Sequence, residues 1–201
     1  MAVRVTELED PSDWNGYLDK SNTEVLYHRL EWDQVFRVYG LPVVRLMAWR
    51  NDQVAGVLPL VWQRSWIFGS RLISLPWFDA AGVLADDAQV SESLVQAALK
   101  LAVEYRVSGL LLRQRRSVDT WQQDRSDKVL MRLPLVRDPE ELWKRFSPKV
   151  RNQVRKAEKS ELTASTSGGG SLLPFFSVYS ENMRDLGSPS HSRRFFCAVL
   201  E

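Results

Sequence analysis

Between Lys144 and Lys159 the sequence sets seven basic residues, Lys144, Arg145, Lys149, Arg151, Arg155, Lys156 and Lys159, against one acid, Glu158. Ser147-Pro148 supplies a helix start, with serine as cap and proline at the first helical position. At helical period Val150, Val154 and Ala157 share one face, which predicts the side that anchors the helix. Arg151, Arg155 and Lys159 fall on the far side, with Lys156 beside them. An arginine fork binds phosphate or carboxylate through two parallel hydrogen bonds, and lysine adds a point charge. Lys149, Arg151, Arg155, Lys156 and Lys159 are therefore candidate anion-binding residues. A phosphate, an RNA backbone or an acidic partner fits this pattern, and so does a solvated basic face with no ligand.

Other chemistries are poorly supplied. Two histidines, His28 and His191, and a lone cysteine, Cys197, do not make a typical zinc site. Ser188, Ser190 and His191 lie close in sequence but lack a nucleophile elbow, and triad members rarely adjoin in sequence. Gly168-Gly169-Gly170 lacks the lysine and hydroxyl residue of a phosphate loop. Asp79, Asp86 and Asp87 do not follow the calcium-loop pattern. The rings of Tyr27, His28, Trp32, Trp62, Trp66, Trp77 and Phe78 could wall a cleft, or simply fill a core.

The chain that must position these residues has 201 of them, 44% hydrophobic and 26% charged, so a packed core is within reach. A net charge of +2 provides no global field toward nucleic acid or membrane, so any attraction must come from local clusters. One cysteine permits no intrachain disulfide, and no run approaches the roughly 18 apolar residues of a membrane span. A cytoplasmic setting is expected.

Alternating or continuous apolar runs predict strands at Val3–Leu8, Val43–Trp49, Val54–Trp62, Ile67–Leu75, Leu110–Leu112 and Lys128–Leu135. Asn51-Asp52 has the chemistry of a hairpin turn, and Pro59 predicts a bulge or strand end. Helices are expected from Asp10-Pro11, over Leu30–Tyr39, over Ser91–Arg106 with Ser91 as cap, from Asp138-Pro139, from Ser147, over Leu172–Met183 and from Ser192. The order β-α-α-β-β-β-α-β-β-α predicts an α/β (α+β) fold with a mixed, mostly antiparallel sheet flanked by helices, and excludes a doubly wound parallel sheet.

Several stretches together carry a resemblance. They are Glu31-Trp32 with Tyr39-Gly40, Gly56-Val57-Leu58-Pro59-Leu60, Phe68-Gly69 with Leu75-Pro76, the run Lys149 to Lys159, and Asn182-Met183-Arg184-Asp185-Leu186-Gly187-Ser188-Pro189 with Phe195-Phe196. The pattern resembles FemAB-related acyltransferases, in particular those associated with the PEP-CTERM/exosortase system. The basic helix is shared by the wider family, and the stretch from Asn182 to Pro189 points to the exosortase-associated branch. The resemblance implies tandem lobes of the GNAT acyltransferase fold. The first lobe would span residues 1–160, and an incomplete second lobe would begin at 161–201.

It also implies an enzyme that transfers an acyl or aminoacyl group to an amine in cell-envelope or exopolysaccharide metabolism. The donor would be aminoacyl-tRNA or acyl-CoA, and tRNA or a phosphate-bearing acceptor the partner. Cell-wall members carry a lysine shortly after the tryptophan matching Trp32. Phe36 and Arg37 stand there instead, a departure from a peptidoglycan-precursor substrate, and Trp32 and Arg37 join the candidate binding residues. A diphosphate loop for coenzyme A is not evident. Two further readings remain at this level. One is a non-enzymatic RNA- or polyanion-binding module using the helix at 147–159. The other is a structural role in which the Phe195-Phe196 helix docks on a missing lobe or a second copy.

Overall fold

The computed structural model describes residues 2–21, 25–67, 69–114, 131–160 and 163–201. These form two units, residues 1–124 with 191–201, and residues 125–190. In the first unit the strands are β1 (Arg4–Glu7), β2 (Val43–Arg50), β3 (Gln53–Ser65), β4 (Gly69–Ile73), β5 (Leu84–Ala85) and β6 (Gly109–Leu111). The helices of the chain are α1 (Pro11–Lys20), α2 (Asp33–Arg37), α3 (Ala88–Glu104), α4 (Pro139–Arg145), α5 (Pro148–Lys159), α6 (Leu172–Asp185) and α7 (Arg193–Leu200). The sheet runs β1-β2-β3-β4-β6, with β5 also on β3. β1 through β4 pair antiparallel, whereas β4 and β6 are parallel. A parallel neighbour needs a crossover, and α3 supplies it.

The β2–β3 hairpin turns on Asn51 and Asp52, both left-handed at φ 50° and 57°, the conformation a two-residue hairpin demands. Trp49 faces Val54 and Ala48 faces Gly56, so Ala55 is an extra residue and the bulge sits there. The expected bulge at Pro59 is absent. Pro59 lies within β3 opposite Arg45, whose carbonyl accepts from Leu8 of the β1 side. That pair exchanges no hydrogen bonds, so the proline nitrogen points to the other edge of β3. There β4 pairs only from Val61 onward and β5 only at Gly56 and Val57. The missing donor faces a break in the ladder, where it costs nothing.

The two faces of the sheet carry separate cores. α3 lays Val90, Leu94 and Ala98 on Val44, Leu46, Ala48, Leu58, Leu60 and Leu72. Its start is one turn earlier than Ser91. Asp87 is the cap, accepting from the Val90 amide at 3.0 Å, because the apolar stripe already begins at the buried Val90. On the opposite face α1 buries Trp14 and Leu18 against Met47 and Val57. Farther along that face Phe36, Val61, Leu75 and Ala81 form a third cluster with Tyr27, Trp32 and Phe78 around it.

The helix predicted at Leu30–Tyr39 opens as a 3₁₀ turn, Leu30–Trp32, and continues as the short α2; a separate 3₁₀ turn, Leu26–His28, precedes it and is broken from it at Arg29. The buried Arg45 explains the break. It pairs with Asp33, donates to the carbonyls of His28 (3.2 Å) and Arg29 (3.4 Å), and lies 4.7 Å from the Trp14 ring centre. Carbonyls turned toward a guanidinium cannot continue a helical ladder.

In the second unit no described residue is fully buried. α4 and α5 start as the sequence predicts, capped by Asp138 and Ser147 with a proline behind each. The Val150–Val154 stripe of α5 is not an anchored face: the two are 43% and 39% exposed. Of the strand expected at Lys128–Leu135, residues 128–130 lie outside the described residues, and Met131–Leu135 form no strand. No helix among the described residues is long and apolar enough to cross a membrane.

Candidate functional site

β4 and β6 pair in register only over Arg71–Ile73 and Gly109–Leu111. Past that point they part. The Ser74 amide donates to Leu111 (2.9 Å), but the Arg113 amide reaches only the Ser74 hydroxyl (2.7 Å), and the Arg113 carbonyl accepts from Gly82 (3.0 Å). The continuation of β6 thus skips from Ser74 to Gly82. The intervening stretch leaves the sheet before the chain re-enters β3's edge as β5.

This excursion is under backbone strain. Leu75 and Trp77, on either side of Pro76, have φ of 49° and 73°. Left-handed backbone is unusual for large residues, and for the residue before proline it is rarer still. Strain of this kind persists only where the surroundings impose it, and it concentrates at functional sites. Here the surroundings are explicit. Arg113 donates through Nη1 to the Phe78 carbonyl (3.0 Å), and its buried Nε has no hydrogen-bond partner. The buried His28 bonds through Nε2 to the Gly82 carbonyl at 2.8 Å, so that nitrogen carries the proton. A Cβ at Gly82 would stand 3.0 Å from the Arg113 carbonyl and would have to displace the end of the Gln114 side chain, so a small residue suits this close approach of the two strands.

An aromatic wall lines this region. Trp32 meets Phe78 edge-on at 4.7 Å, Phe36 stacks on Trp77 at 5.7 Å, and Trp77 meets Tyr39 at 5.3 Å. Trp32 is fixed by its indole N–H on the Leu26 carbonyl (2.7 Å). Arg37, at the last turn of α2, is exposed. His191 closes the wall, stacked on Phe195 at 4.1 Å. The Tyr39 hydroxyl accepts from the Ser192 amide (3.1 Å) and lies within hydrogen-bond distance of His191 Nδ1 (3.1 Å). Burial pushes the His191 imidazole below its usual range. His191 is a packing residue here, with α7 further tied down by Gln34 Nε2 on the Ala198 carbonyl (2.7 Å).

The N-terminus of α3, the longest helix among the described residues, is already neutralised. Asp87 caps it and pairs with Arg50 at 2.6 Å. That guanidinium, with the Val90 amide, holds the carboxyl down to about 2. Asp86 beside it accepts from Tyr17 at 3.0 Å. Helix N-termini attract phosphates, but here Asp87 already occupies the free amides, and Asp86 and Asp87 outnumber the one guanidinium, Arg50, beside them.

In the second unit Lys149, Arg151, Arg155, Lys156 and Lys159 share α5, as their spacing predicts. The helix has no acid in its first turn, and all but Arg151, which is half-buried, are exposed. Arg155 lies 5.7 Å over the Trp143 ring, and α4 adds Lys144 and Arg145. Sequence reasoning placed His28 among rings that could wall a cleft but missed Ser74, Gly82, Arg45 and Arg113. Arg45 alone left a signal, as a charge inside the apolar run Val43 to Met47.

No protein-family model matches this sequence, and no curated protein matches it either. Among solved structures the chain is similar to the crystal structure of FemX, with a TM-score of 0.64 and 14% identity. The match covers 99% of this chain and 54% of FemX, so the chain spans about half the length of that protein. Weaker likenesses join it to two acetyltransferases. One is a ribosomal-protein-alanine N-acetyltransferase from Brucella melitensis biovar Abortus 2308, with a TM-score of 0.46, 13% identity, and coverage of 66% of this chain and 100% of that one. The other is glucosamine-6-phosphate N-acetyltransferase from Arabidopsis thaliana, with a TM-score of 0.43, 12% identity, and coverage of 67% and 100%. At these identities a likeness concerns the fold, and the FemX match carries it. The chain shares with FemX a mixed α/β fold, its mixed sheet flanked by helices.

Proposed function

We propose that this chain is a lobe of an acyl- or aminoacyltransferase that acts on an amine acceptor, with aminoacyl-tRNA rather than acyl-CoA as donor. The observation that carries the reading is the parting of β4 from β6 beside a strained, aromatic-walled excursion, in a chain that matches FemX along 99% of its length. A parted pair of strands offers main-chain donors and acceptors to a substrate, and developing oxyanions are best met by such fixed dipoles. In the transfer the acceptor nitrogen attacks the acyl carbonyl. A C–N bond forms, the C–O bond to the donor breaks, the nitrogen gives up a proton and the departing alkoxide gains one. Orientation does most of the work, and no protein nucleophile is required.

The choice of donor rests on charge. A coenzyme A diphosphate finds Asp86 and Asp87 at the start of α3, whereas the cations of α5 suit an RNA backbone. Residues 1–160 would form the first lobe and 161–201 the start of a second. The stretch Asn182 to Pro189 supports a place in cell-envelope or exopolysaccharide metabolism of the PEP-CTERM/exosortase type.

The test is binding of charged and deacylated tRNA by the wild type and by the R151E/R155E double variant. Charged tRNA should bind the wild type more tightly, and the variant should lose most affinity to either form. Equal binding by both proteins removes α5 from the site. A second reading, a non-enzymatic polyanion-binding module, is favoured by the outward-facing cations of α5. It requires binding that weakens steeply with salt and ignores the aminoacyl group.

A further inference from the structure

We propose that the β3–β4 hairpin is a membrane-docking finger whose tip, Trp66 and Ile67, inserts into the headgroup interface of an anionic bilayer. β2 pairs with β3 only as far as Val61, whereas β4 pairs with β3 out to Ser65 and Gly69. The last turn of ladder is therefore a two-stranded projection. At its end Trp66 is 104% exposed and Ile67 81%, and the Ile67 amide donates to the Ser65 hydroxyl (3.3 Å), bracing the turn.

Nothing in the fold requires a tryptophan and an isoleucine fully in water. Two side chains on a projection are far too small an interface for a stable protein partner. They are, however, what a bilayer interface accepts: an indole at headgroup depth and an aliphatic chain just beneath it.

The charges behind the tip have the matching sign. Arg64 and Arg71 are exposed and belong to adjacent cross-strand pairs, Arg64 opposite Ser70 and Arg71 opposite Gln63. They therefore point to opposite faces of the hairpin. Arg64 lies 4.4 Å over the Trp62 ring, and that indole donates to the Ser70 hydroxyl (2.8 Å), which stiffens the stem. Ser108 donates to the Ser70 carbonyl from its amide and its hydroxyl, both at 2.8 Å, so the turn after α3 sits against the same stem. That turn exposes Arg106, held at φ 50° where glycine would be less strained. The carboxylate on this turn is Glu104. Three guanidiniums against two carboxylates, Glu104 on the turn and Glu7 facing its Tyr105, leave a net positive charge behind an apolar point and favour anionic over neutral lipid. This inference does not rest on the transferase reading.

The test is flotation of the full chain with vesicles of phosphatidylcholine alone and of phosphatidylcholine with phosphatidylglycerol. The expected result is binding to the anionic vesicles, with tryptophan fluorescence quenched by brominated acyl chains. The W66S/I67S variant should bind roughly tenfold or more weakly with its melting temperature unchanged. R64E/R71E should lose the preference for anionic lipid, and R151E/R155E should keep the tip-dependent part. Three results would overturn the proposal: no vesicle binding by the wild type, W66S/I67S binding as tightly as the wild type, or a wild-type dimer that W66S/I67S dissolves while vesicle binding is unaffected.

Discussion

Arg45 enters a buried strand carrying a charge, and Asp33, two carbonyls and the Trp14 ring answer it. Replacing it by methionine leaves Asp33 largely buried without its partner and frees the 26–33 segment that carries Tyr27 and Trp32. Arg45→Met is expected to cost about 3 kcal/mol, read as a lower urea midpoint at an unchanged slope. At Gly56 a Cβ would stand 2.7 Å from Val90 Cγ1 and 3.0 Å from the Leu84 carbonyl. Gly56→Ala should therefore push α3 off the sheet, at a cost of about 1–3 kcal/mol.

His191 gives a pH dependence with a definite sign. Burial lowers its folded-state pKa, so the unfolded chain binds the proton more readily. Stability should be level above about pH 6.5 and fall as pH drops from there through the lower folded value. Urea midpoints at about pH 7.5 and about pH 5.5 should differ more for the wild type than for His191→Gln. The sequence drew attention to His191 beside Ser188 and Ser190 without showing its packing role, and Arg45 is visible there only as a charge inside an apolar run. The roles of Gly56 and His191 come from partners 34 and 152 positions away, and no local pattern encodes those.

Element by element, the sequence was most legible where one local rule decided the outcome. The prolines after Asp10, Asp138 and Ser147 mark helix starts, and the structure places α1, α4 and α5 there. Asn51-Asp52 makes the predicted hairpin. The differences arose where tertiary packing overrode local preference. Arg45 draws the carbonyls of His28 and Arg29 toward itself and separates the turn at 26–28 from the helix that starts at Leu30. Pro59 passes through β3 because its nitrogen meets a gap. The apolar stripe of α5, sound as a pattern, meets no core among the described residues.

That last point shapes a prediction for α5. Arg155 is exposed and Arg151 only half-buried, so R151E/R155E should leave the melting temperature nearly unchanged, within about 0.5 kcal/mol of stability. The same change should reduce the log–log salt slope of tRNA binding by about two, one for each phosphate that is no longer neutralised. A thermal melt beside a salt titration separates the two effects.

At the scale of the whole molecule, the order of strands and helices was enough to predict a mostly antiparallel mixed sheet flanked by helices. The place where that sheet opens was not predictable. The opening depends on a register that ends at Ile73 and resumes through Gly82, and both ends are set by long-range backbone pairing. In the first unit carboxylates stand at the start of α3, and in the second unit cations run along α5.

The most direct measurement is to incubate the chain with tRNA carrying an isotopically labelled amino acid and a panel of amine-bearing sugars and peptides, and to look for a labelled amide by mass spectrometry. A labelled amide that forms with wild type, falls roughly tenfold in R151E/R155E, and is not replaced by product from acyl-CoA is the expected result. Turnover of acyl-CoA with none of charged tRNA, or an amide yield that ignores the α5 substitutions, would contradict it.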